Sequence, residues 1–372
     1  MCPVGTQSNW AIWKSSARLA DGREIVYFDE APGLGRDQIR DTRPLPPQMP
    51  GPQLPRGRPD WGIRWDRLAG EWVVITAARQ DRTFLPPADQ CPLDPSAPGR
   101  PTEIPADNYD VVVFENRFPS LAEPLGRCEV VCFTPDHDAS FAALSPRRVR
   151  TVLEAWVDRT LALGALPETR QVYCFENRGE EIGVTLHHPH GQIYGYPFLP
   201  PVPALELAAD GRLDGCAPCA LLRAELDDGR RVVYENEGVV AYIPFAARWA
   251  YETHVTLRAH RPSLLECEPA ELRHLASALQ ALVRGYDALF DRPFPYVMVV
   301  HQAPTKPAPG PAAARAGTAA AGHLHVEFYP PLRTADKLKY LAGSEQGGGT
   351  FISDTLPEES AVALREAIAR GG

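Results

Sequence analysis

The chain has 372 residues and a formal net charge of −9, with 44% hydrophobic and 23% charged residues. This length favours two folded halves over one core, and the composition is typical of globular rather than disordered proteins. The acidic balance and the lack of a Lys/Arg run argue against binding to nucleic acid through its phosphates. No apolar stretch of about 18 residues is present to cross a membrane, and the N-terminal sequence lacks the features of a secretory signal. We therefore expect a cytoplasmic protein whose eight cysteines stay reduced.

The first 58 residues are rich in loops and are predicted to form an extension or linker. A turn at Asp21-Gly22 accompanies one predicted strand within 18–30, whereas the proline-dense stretch 43–59 fits neither a helix nor a strand. Short β-branched and aromatic runs bounded by turn residues then predict strands at 71–79, 109–118, 128–135 and 171–179. Apolar residues at helical spacing and a Ser-Pro start predict a helix over 145–164.

The second part of the chain repeats this order of elements. Its strands are predicted at 230–245, 251–260, 294–302 and 323–331. The clearest apolar stripe in the chain predicts a helix over 268–291. An Ala/Pro-rich stretch over 306–322 predicts a loop, and acidic residues after Pro357 open a terminal helix over 356–370.

Cysteine and histidine residues recur in the same order in both parts. Each contains a Cys-x-x-Cys or Cys-x-x-Asp segment, then a lone histidine, then a His-x-His segment. The residues are Cys91, Asp94, His137, His188 and His190 in the first part, and Cys216, Cys219, His260, His323 and His325 in the second. This repetition indicates an internal duplication.

A structural zinc site is predicted from Cys216, Cys219, His260 and His323. Two thiolates three residues apart can turn back on one cation, and two imidazoles from later strands complete a tetrahedral set. Because all four positions are filled, no position remains for an activated water. The alternative is that the thiols are buried apolar side chains and the histidines lie on the surface.

The equivalent set in the first part is Cys91, Asp94, His137 and His188. Asp94 stands where the repeat predicts a second thiolate, and its harder oxygen binds zinc less tightly than sulfur. We predict a metal here as well, and a decayed, empty site is the alternative.

The segment from His188 to Gln192 carries the predicted chemistry. In His-x-His on an extended segment the two imidazoles point to the same side, so His188 can bind metal or support its neighbour while His190 faces a ligand. A neutral imidazole is a competent nucleophile toward phosphorus. Gly191 allows the backbone to approach a substrate, and Gln192 offers an uncharged N–H donor to an anionic oxygen.

This segment, HHPHGQ, strongly resembles the galactose-1-phosphate uridylyltransferases of the histidine-triad superfamily, together with FENRG (175–179) and FLPP (198–201). The resemblance extends over about residues 60–345 and includes VFENRFPSL (113–121) and FYPPLR (328–333). It implies an α+β fold of two fused histidine-triad-like halves, each an antiparallel sheet with packed helices. It also implies zinc as the metal, UDP-glucose and a hexose 1-phosphate as substrates, and a homodimer.

The resemblance further implies roles for single residues. His190 matches the nucleophile that attacks the α-phosphorus of UDP-glucose, giving a uridylyl-histidine that galactose 1-phosphate then takes over in a ping-pong cycle. Gln192 matches a Gln that hydrogen-bonds the phosphoryl oxygens in the transition state. Cys91, His137 and His188 match zinc ligands, and Asp94 departs from the usual Cys. The other matches are Phe114 and Asn116 at the uridine, Asn177, Gly183 and Thr185 around the phosphates, Arg79 and Arg82 at the nucleotide of the neighbouring subunit, and Lys339 and Glu345 near the sugar phosphate.

Two features depart from the family pattern. Glu206, His301 and His325 fit a further metal site found in many relatives, but Glu327 stands where its third histidine is expected, which predicts an absent or altered site. The cysteine-containing set of the second part instead resembles the second zinc site of a branch that includes ADP-glucose phosphorylases. The glutamine that helps to hold the hexose in the best-known transferases has no match here, so the sugar and the base stay open.

The predicted activity is that of a UDP-glucose–hexose-1-phosphate uridylyltransferase. The predicted organisation is an N-terminal extension (1–58), a catalytic half (59–203), a structural half with the Cys-x-x-Cys zinc site (204–345), and a C-terminal tail and helix (346–372). One alternative is an ADP- or NDP-sugar phosphorylase of the same superfamily, with inorganic phosphate as the acceptor. The other is a zinc-stabilised nucleotide-binding protein without turnover.

Overall fold

The computed structural model describes residues 3–4, 10–43, 61–76, 85–210, 215–306 and 322–372. Arg79, Arg82 and most of the two predicted loops at 43–59 and 306–322 lie outside these residues. The described residues divide into two compact units. The first lies within Met1–Cys174, Thr185–Ala204 and Pro304–Ala313, and the second within Phe175–Val184, Leu205–Ala303 and Ala314–Gly372.

The elements up to residue 210 are mostly short strands. The strands are β1 (Pro3–Val4), β2 (Ile12–Arg18), β3 (Glu24–Asp29), β4 (Trp61–Asp66), β5 (Glu71–Thr76), β6 (Val111–Glu115), β7 (Arg127–Cys132), β8 (Gln171–Arg178) and β9 (His190–Tyr196). The helices are α1 (Pro146–Gly164) and α2 (Pro201–Asp210). Helix α1 starts as predicted, because the Ser145 side chain accepts a hydrogen bond from the backbone N–H of Arg148 at 3.1 Å and Pro146 is the first helical residue.

The later elements contain the longer helices. The helices are α3 (Ala217–Asp228), α4 (Pro269–Leu289) and α5 (Pro357–Gly371). The strands are β10 (Val232–Glu235), β11 (Val239–Tyr242), β12 (Thr253–Leu257), β13 (Tyr296–His301), β14 (His325–Tyr329), β15 (Leu332–Thr334) and β16 (Lys337–Leu338).

In the first unit, strands follow the order β1-β2-β3-β6-β7-β9-β8, and the pairs from β1 to β9 are antiparallel. Helix α1 contacts β3, β6 and β9, and its Trp156 ring lies 6.5 Å from the ring of Phe133, measured between centroids. Strands β4 and β5 form a separate hairpin. One face of the sheet therefore packs on α1.

In the second unit, the order β13-β14-β12-β11-β10 repeats the order β8-β9-β7-β6-β3 of the first unit. Helix α4 lies in sequence between β12 and β13, as α1 lies between β7 and β8, and α5 packs on α4. The α+β class with antiparallel sheets is thus confirmed, and the repeated strand order is the one that a duplication predicts.

Several elements differ from the prediction. The predicted strand 230–245 is two strands, β10 and β11, because the side chain of Asn236 accepts hydrogen bonds from the backbone N–H groups of Gly238 and Val239 and closes a turn. Strand β2 and helices α2 and α3 were not predicted. The predicted domain boundaries stay predictions.

Candidate active site and metal centres

His190 is the first residue of β9, and the backbone of its own loop holds its ring. The Nδ1–H of His190 donates to the backbone carbonyl of His188 at 2.7 Å. Because a carbonyl only accepts, Nδ1 must carry the proton, and in the neutral ring Nε2 keeps its lone pair. Burial lowers the pKa of His190 to about 4, so the ring is neutral at physiological pH.

The strand register extends this site across the sheet. His190 stands opposite Cys132, and Cys132 stands opposite Val112. Two residues along, Gln192 stands opposite Val130, and Val130 opposite Phe114. Directly opposed residues share a face of the sheet, so His190, Gln192 and Phe114 lie on one face. The sequence prediction that placed these residues at one site is consistent with this arrangement.

Gln192 is oriented by Tyr194, a residue that was not predicted for the site. The Tyr194 hydroxyl donates to Gln192 Oε1 at 3.2 Å and also lies 3.2 Å from the hydroxyl of Ser120. With Oε1 accepting, the amide NH2 of Gln192 remains as the donor that a phosphoryl oxygen needs. The signal for this role was present in the sequence, since Tyr194 follows Gln192 by two residues on a strand and so shares its face.

Phe114 and Asn116, the predicted uridine residues, lie at the end of β6. Phe114 is 2% exposed within a hydrophobic cluster that includes Tyr27 and Tyr109. The Asn116 side chain accepts a hydrogen bond from the backbone N–H of Phe118 at 2.8 Å. The backbone N–H of Asn116 donates to the backbone carbonyl of Cys128 at 2.9 Å. Their contact with a nucleotide stays a prediction.

The first predicted metal set is assembled around Asp94. Ligand atoms of Cys91, Asp94, His137 and His188 lie within 4.8 Å of one another. Asp94 Oδ1 lies 2.9 Å from His137 Nδ1 and 3.1 Å from His188 Nδ1, and its Oδ2 accepts from Arg100 at 2.9 Å. Burial acts to raise the pKa of Asp94, but the hydrogen bonds from its neighbours outweigh burial and hold the pKa below its usual value.

The protonation of His188 favours a cation at this set. His188 Nε2 lies 2.8 Å from the carbonyl of Thr134, so Nε2 carries the proton and Nδ1 a lone pair. Burial lowers the pKa of His188, which keeps the ring neutral. Two acceptors, Nδ1 of His188 and the carboxylate of Asp94, therefore face each other, and a metal ion satisfies both. Burial raises the pKa of Cys91 to about 11, so metal binding there would displace a thiol proton.

The second predicted metal set has two sulfurs and two nitrogens. Ligand atoms of Cys216, Cys219, His260 and His323 lie within 4.8 Å of one another. Cys219 Sγ lies 3.5 Å from His260 Nδ1 and 3.2 Å from His323 Nδ1. Cys216 caps the N-terminus of α3, where its Sγ accepts a hydrogen bond from the backbone N–H of Cys219 at 3.4 Å. Burial lowers the pKa of His323 to about 4, so it is a neutral ligand. This donor set fits tetrahedral zinc.

A third group lies around Glu327. Glu206, His301 and His325 bring their ligand atoms within 4.8 Å of one another. The Glu327 carboxylate lies 3.2 Å from His254 Nε2 and 3.3 Å from His325 Nε2. A carboxylate thus occupies the place that the family pattern gives to an imidazole. The prediction that this metal site is absent or altered stays a prediction.

The second unit also reproduces the local geometry of the nucleophile. His325 Nδ1 lies 2.7 Å from the carbonyl of His323, as His190 Nδ1 does from that of His188. Glu327 follows His325 by two residues and accepts a hydrogen bond from the hydroxyl of Tyr329. His325, Glu327 and Tyr329 therefore correspond to His190, Gln192 and Tyr194, with a carboxylate in place of the amide.

The remaining predicted residues are placed as follows. Lys339 is buried, and its ammonium donates to the carbonyls of Arg248, at 2.7 Å, and Ile352. The Glu345 carboxylate accepts from the backbone N–H groups of Ala342 and Ile352, and backbone hydrogen bonds lower its pKa. Asn177 lies in β8, and Gly183 has a left-handed φ of 80°. The backbone carbonyl of Thr185 accepts a hydrogen bond from the backbone N–H of Leu85 at 2.8 Å. Roles for these residues stay predictions.

Comparison with known proteins identifies the family. Residues 120–200 match the model of the galactose-1-phosphate uridyl transferase N-terminal domain, and residues 219–370 match that of the C-terminal domain. A galactose-1-phosphate uridylyltransferase of Streptomyces lividans is 43% identical over 361 residues, which cover 95% of this chain and 97% of the relative. This chain belongs to the galactose-1-phosphate uridylyltransferase family. The family predicted from the HHPHGQ segment is therefore confirmed.

Other members and solved structures agree. The galactose-1-phosphate uridylyltransferase of Thermotoga maritima is 37% identical and covers 82% of this chain and 98% of the relative. A solved uridylyltransferase structure matches with a TM-score of 0.70 at 31% identity, over 83% of this chain and 98% of that one. An Arabidopsis thaliana ADP-glucose phosphorylase with bound ADP-glucose matches with a TM-score of 0.61 at 21% identity, over 82% of this chain and 98% of that one, which shows likeness of fold alone. Among the described residues, no helix is long and apolar enough to cross a membrane.

Proposed function

We propose that this protein transfers UMP from UDP-glucose to galactose 1-phosphate through a covalent uridylyl-histidine on His190. The observation that carries the proposal is the hydrogen bond from His190 Nδ1–H to the His188 carbonyl, which leaves a lone pair on Nε2. The low pKa of His190 keeps that lone pair available at neutral pH. The family relatives, which bear the name of this activity, support the choice of substrates.

The transfer takes place in two displacements. In the first, His190 Nε2 forms a bond to the α-phosphorus of UDP-glucose, the bond to the bridging oxygen breaks, and glucose 1-phosphate leaves with the electron pair. The ring becomes cationic, and its Nδ1–H bond to a carbonyl stabilises that charge. In the second, a phosphate oxygen of galactose 1-phosphate attacks the same phosphorus and Nε2 leaves, giving UDP-galactose. The Gln192 amide donates to the non-bridging oxygens.

Zinc is proposed at two sites. At the first, Cys91, Asp94, His137 and His188 would hold the ion, which would fix the loop whose carbonyl orients His190. At the second, Cys216, Cys219, His260 and His323 would hold a purely structural ion. The metal supplies cross-linking of loops in both places, and the phosphoryl chemistry rests on the side chains of the active site.

Substrate contacts, assembly and location follow the same proposal. Uridine is assigned to Phe114 and Asn116, and the sugar phosphate to Lys339 and Glu345. Asn177, Gly183 and Thr185 are assigned to the phosphates. Arg79 and Arg82, outside the described residues, are assigned to the nucleotide of the neighbouring subunit of a homodimer. We place the enzyme in the cytoplasm.

Intact-mass measurement tests the proposal. After incubation with UDP-glucose, and without an acceptor, the wild-type protein should gain the mass of one uridylyl group and release glucose 1-phosphate. Galactose 1-phosphate should then remove the group. The His190→Gly and His190→Asn variants should gain no mass, with His274→Asn as a matched histidine substitution away from the site.

The alternatives give different results in the same experiment. An adenylyl adduct from ADP-glucose that inorganic phosphate removes would replace the proposal by the sugar-phosphorylase alternative. Absence of an adduct with either nucleotide sugar would favour the zinc-stabilised nucleotide-binding protein. An adduct that survives in His190→Gly would reject His190 as the nucleophile.

A further inference from the structure

The N-terminal arm, defined here as residues 10–43, is joined to the predicted uridine segment by more than strand pairing. Strands β2 and β3 form a hairpin, and β3 pairs with β6 so that Ile25 stands opposite Phe114. Strand β3 begins at Glu24 and β6 ends at Glu115. The ladder therefore stops where the uridine segment, residues 114–118, leaves the sheet.

The turn of this hairpin has a fixed shape. The backbone N–H of Leu19 donates to the carbonyl of Arg23 at 2.9 Å, and the Arg18 guanidinium donates to the carbonyl of Gly22 at 2.9 Å. Gly22 has a φ of +87°, which a residue with a Cβ rarely adopts. The turn thus directs the side chains of Asp21 and Arg23 to one place.

That place is a buried cluster of two positive and two negative charges. It comprises Asp21, Arg23, Glu103 and Arg117, whose side chains are 3–6% exposed. Arg23 pairs with Asp21 at 2.8 Å and with Glu103, and Arg117 pairs with Glu103 through two nitrogens. Arg117 also lies 3.6 Å from Asp21. The charges balance, which is the condition for ion pairs to persist away from water.

The cluster contacts the uridine segment on both sides of Asn116. Arg23 Nη1 donates to the backbone carbonyl of Glu115 at 2.7 Å. On the other side of Asn116, the cluster holds the guanidinium of Arg117. Arg23 is suited to this task because one planar guanidinium reaches Asp21, Glu103 and the carbonyl at once, which an ammonium group cannot do in the same geometry.

We propose that Arg23, held by Asp21, is a positioning residue for the uridine site, so that the N-terminal arm is part of the machinery that recognises the nucleotide. The inference rests on the proposed function, in which Asn116 contacts uridine. Arg23 acts through the uridine segment and touches no substrate. Loosening it should weaken nucleotide binding and leave the chemistry at His190 intact, because a shift of the segment changes where uridine sits and not how the imidazole is held.

The test is a charge-balanced double variant, Asp21→Asn with Arg23→Gln, which leaves the Arg117–Glu103 pair in place. A matched control is Asp29→Asn with Arg36→Gln. This pair lies on the same arm, is buried, and has a 2.9 Å contact, but Arg36 donates to the carbonyl of Asn108 instead of the uridine segment. Thermal melting of both variants verifies that the chain folds.

We expect the first variant to need about tenfold more UDP-glucose for half-maximal uridylylation of His190. The rate at saturation should stay within about twofold of wild type, and so should the half-saturating galactose 1-phosphate of the second displacement. UMP affinity, measured by calorimetry, should fall by a similar factor of about ten. The control should match wild type in all four quantities. The single variant Arg23→Lys should lose less UDP-glucose and UMP affinity than the double variant, since it keeps the charge.

Three results overturn the inference. Equal effects in the variant and the control would mean that the arm only stabilises the fold. A parallel loss of the saturated rate and of both half-saturations would mean the same. If Asn116→Ala leaves the UDP-glucose half-saturation unchanged, uridine does not bind there and this inference fails, whereas the transfer through His190 stands. If wild type forms no uridylyl adduct, the proposed function itself fails.

Discussion

At position 190 the imidazole is fixed by the peptide carbonyl two residues before it. The same carbonyl belongs to His188, a predicted metal ligand, so the metal set and the nucleophile share one stretch of backbone. In this His-x-His segment, the first ring belongs to the candidate metal set, and the carbonyl of the same residue orients the second ring. The roles of His188, His190 and Gln192 were predicted from the sequence and stay predictions. The contributions of Thr134 and Arg100 were not predicted, because their roles depend on contacts that no local pattern encodes, whereas Tyr194 was missed although its spacing from Gln192 indicates a shared face.

Glu176 offers a prediction at the same scale. It is 3% exposed and accepts from the hydroxyl of Tyr296 at 2.9 Å, and burial raises its pKa to about 7. In the unfolded chain its pKa is about 4.3. The folded state therefore holds the proton more tightly, and the stability that this gives is present below about pH 4 and is lost as the pH rises toward 7.

We expect Glu176→Gln to remove this loss. The variant should match wild type in stability near pH 4 and exceed it by about 3 kcal/mol at pH 8. Urea unfolding at the two pH values measures the difference. A Glu176→Gln variant that is destabilised equally at both values would show that the carboxyl does not titrate on unfolding.

At the scale of elements, the packing of α4 against α5 depends on one residue without a side chain. A Cβ at Gly285 would lie 2.3 Å from Cγ1 of Ile368, so the helices approach closely there. The amphipathic stripes of both helices were visible in the sequence, and their bounds were predicted within one residue or two. Their mutual contact was not, since an apolar stripe indicates that a face is buried and not which element covers it.

Gly285→Ala should therefore destabilise the protein by about 1–3 kcal/mol, although alanine is the better helix former. The double variant Gly285→Ala with Ile368→Ala should regain part of this loss, because the clash is removed. Thermal or urea unfolding of wild type, Gly285→Ala, Ile368→Ala and the double variant gives the coupling energy. Additive effects in the double variant would contradict the contact.

At the scale of the whole molecule, the two units repeat one strand order and contain different sets of candidate metal ligands. The repeated Cys/His order predicted the duplication, because metal ligands are constrained in spacing and type, and the family resemblance implied the antiparallel sheets. The hairpin of β2 and β3 was largely missed, because its contribution lies in pairing with β6, which is distant in sequence. Predictions thus succeeded where chemistry constrains local sequence and failed where tertiary pairing decides.

Zinc content tests the two-site organisation. The purified protein should contain about two zinc ions per chain, and Cys216→Ser should contain about one. Cys91→Ser should lose the other ion, and Cys267→Ser, a cysteine outside both sets, should lose none. Metal analysis after dialysis gives the counts. An unchanged zinc content in Cys216→Ser would reject the second site.

The correspondence between His325-Glu327-Tyr329 and His190-Gln192-Tyr194 indicates which side chain distinguishes the two sets. Both rings are held in the same manner by a preceding carbonyl. Only one is followed two residues later by an amide, which can donate to an anionic phosphoryl group. The other is followed by a carboxylate, which repels such a group and lies 3.3 Å from Nε2 of its ring. The contact that orients the imidazole is thus common to both units, and the change from amide to acid two residues later removes the donor that a phosphoryl oxygen needs.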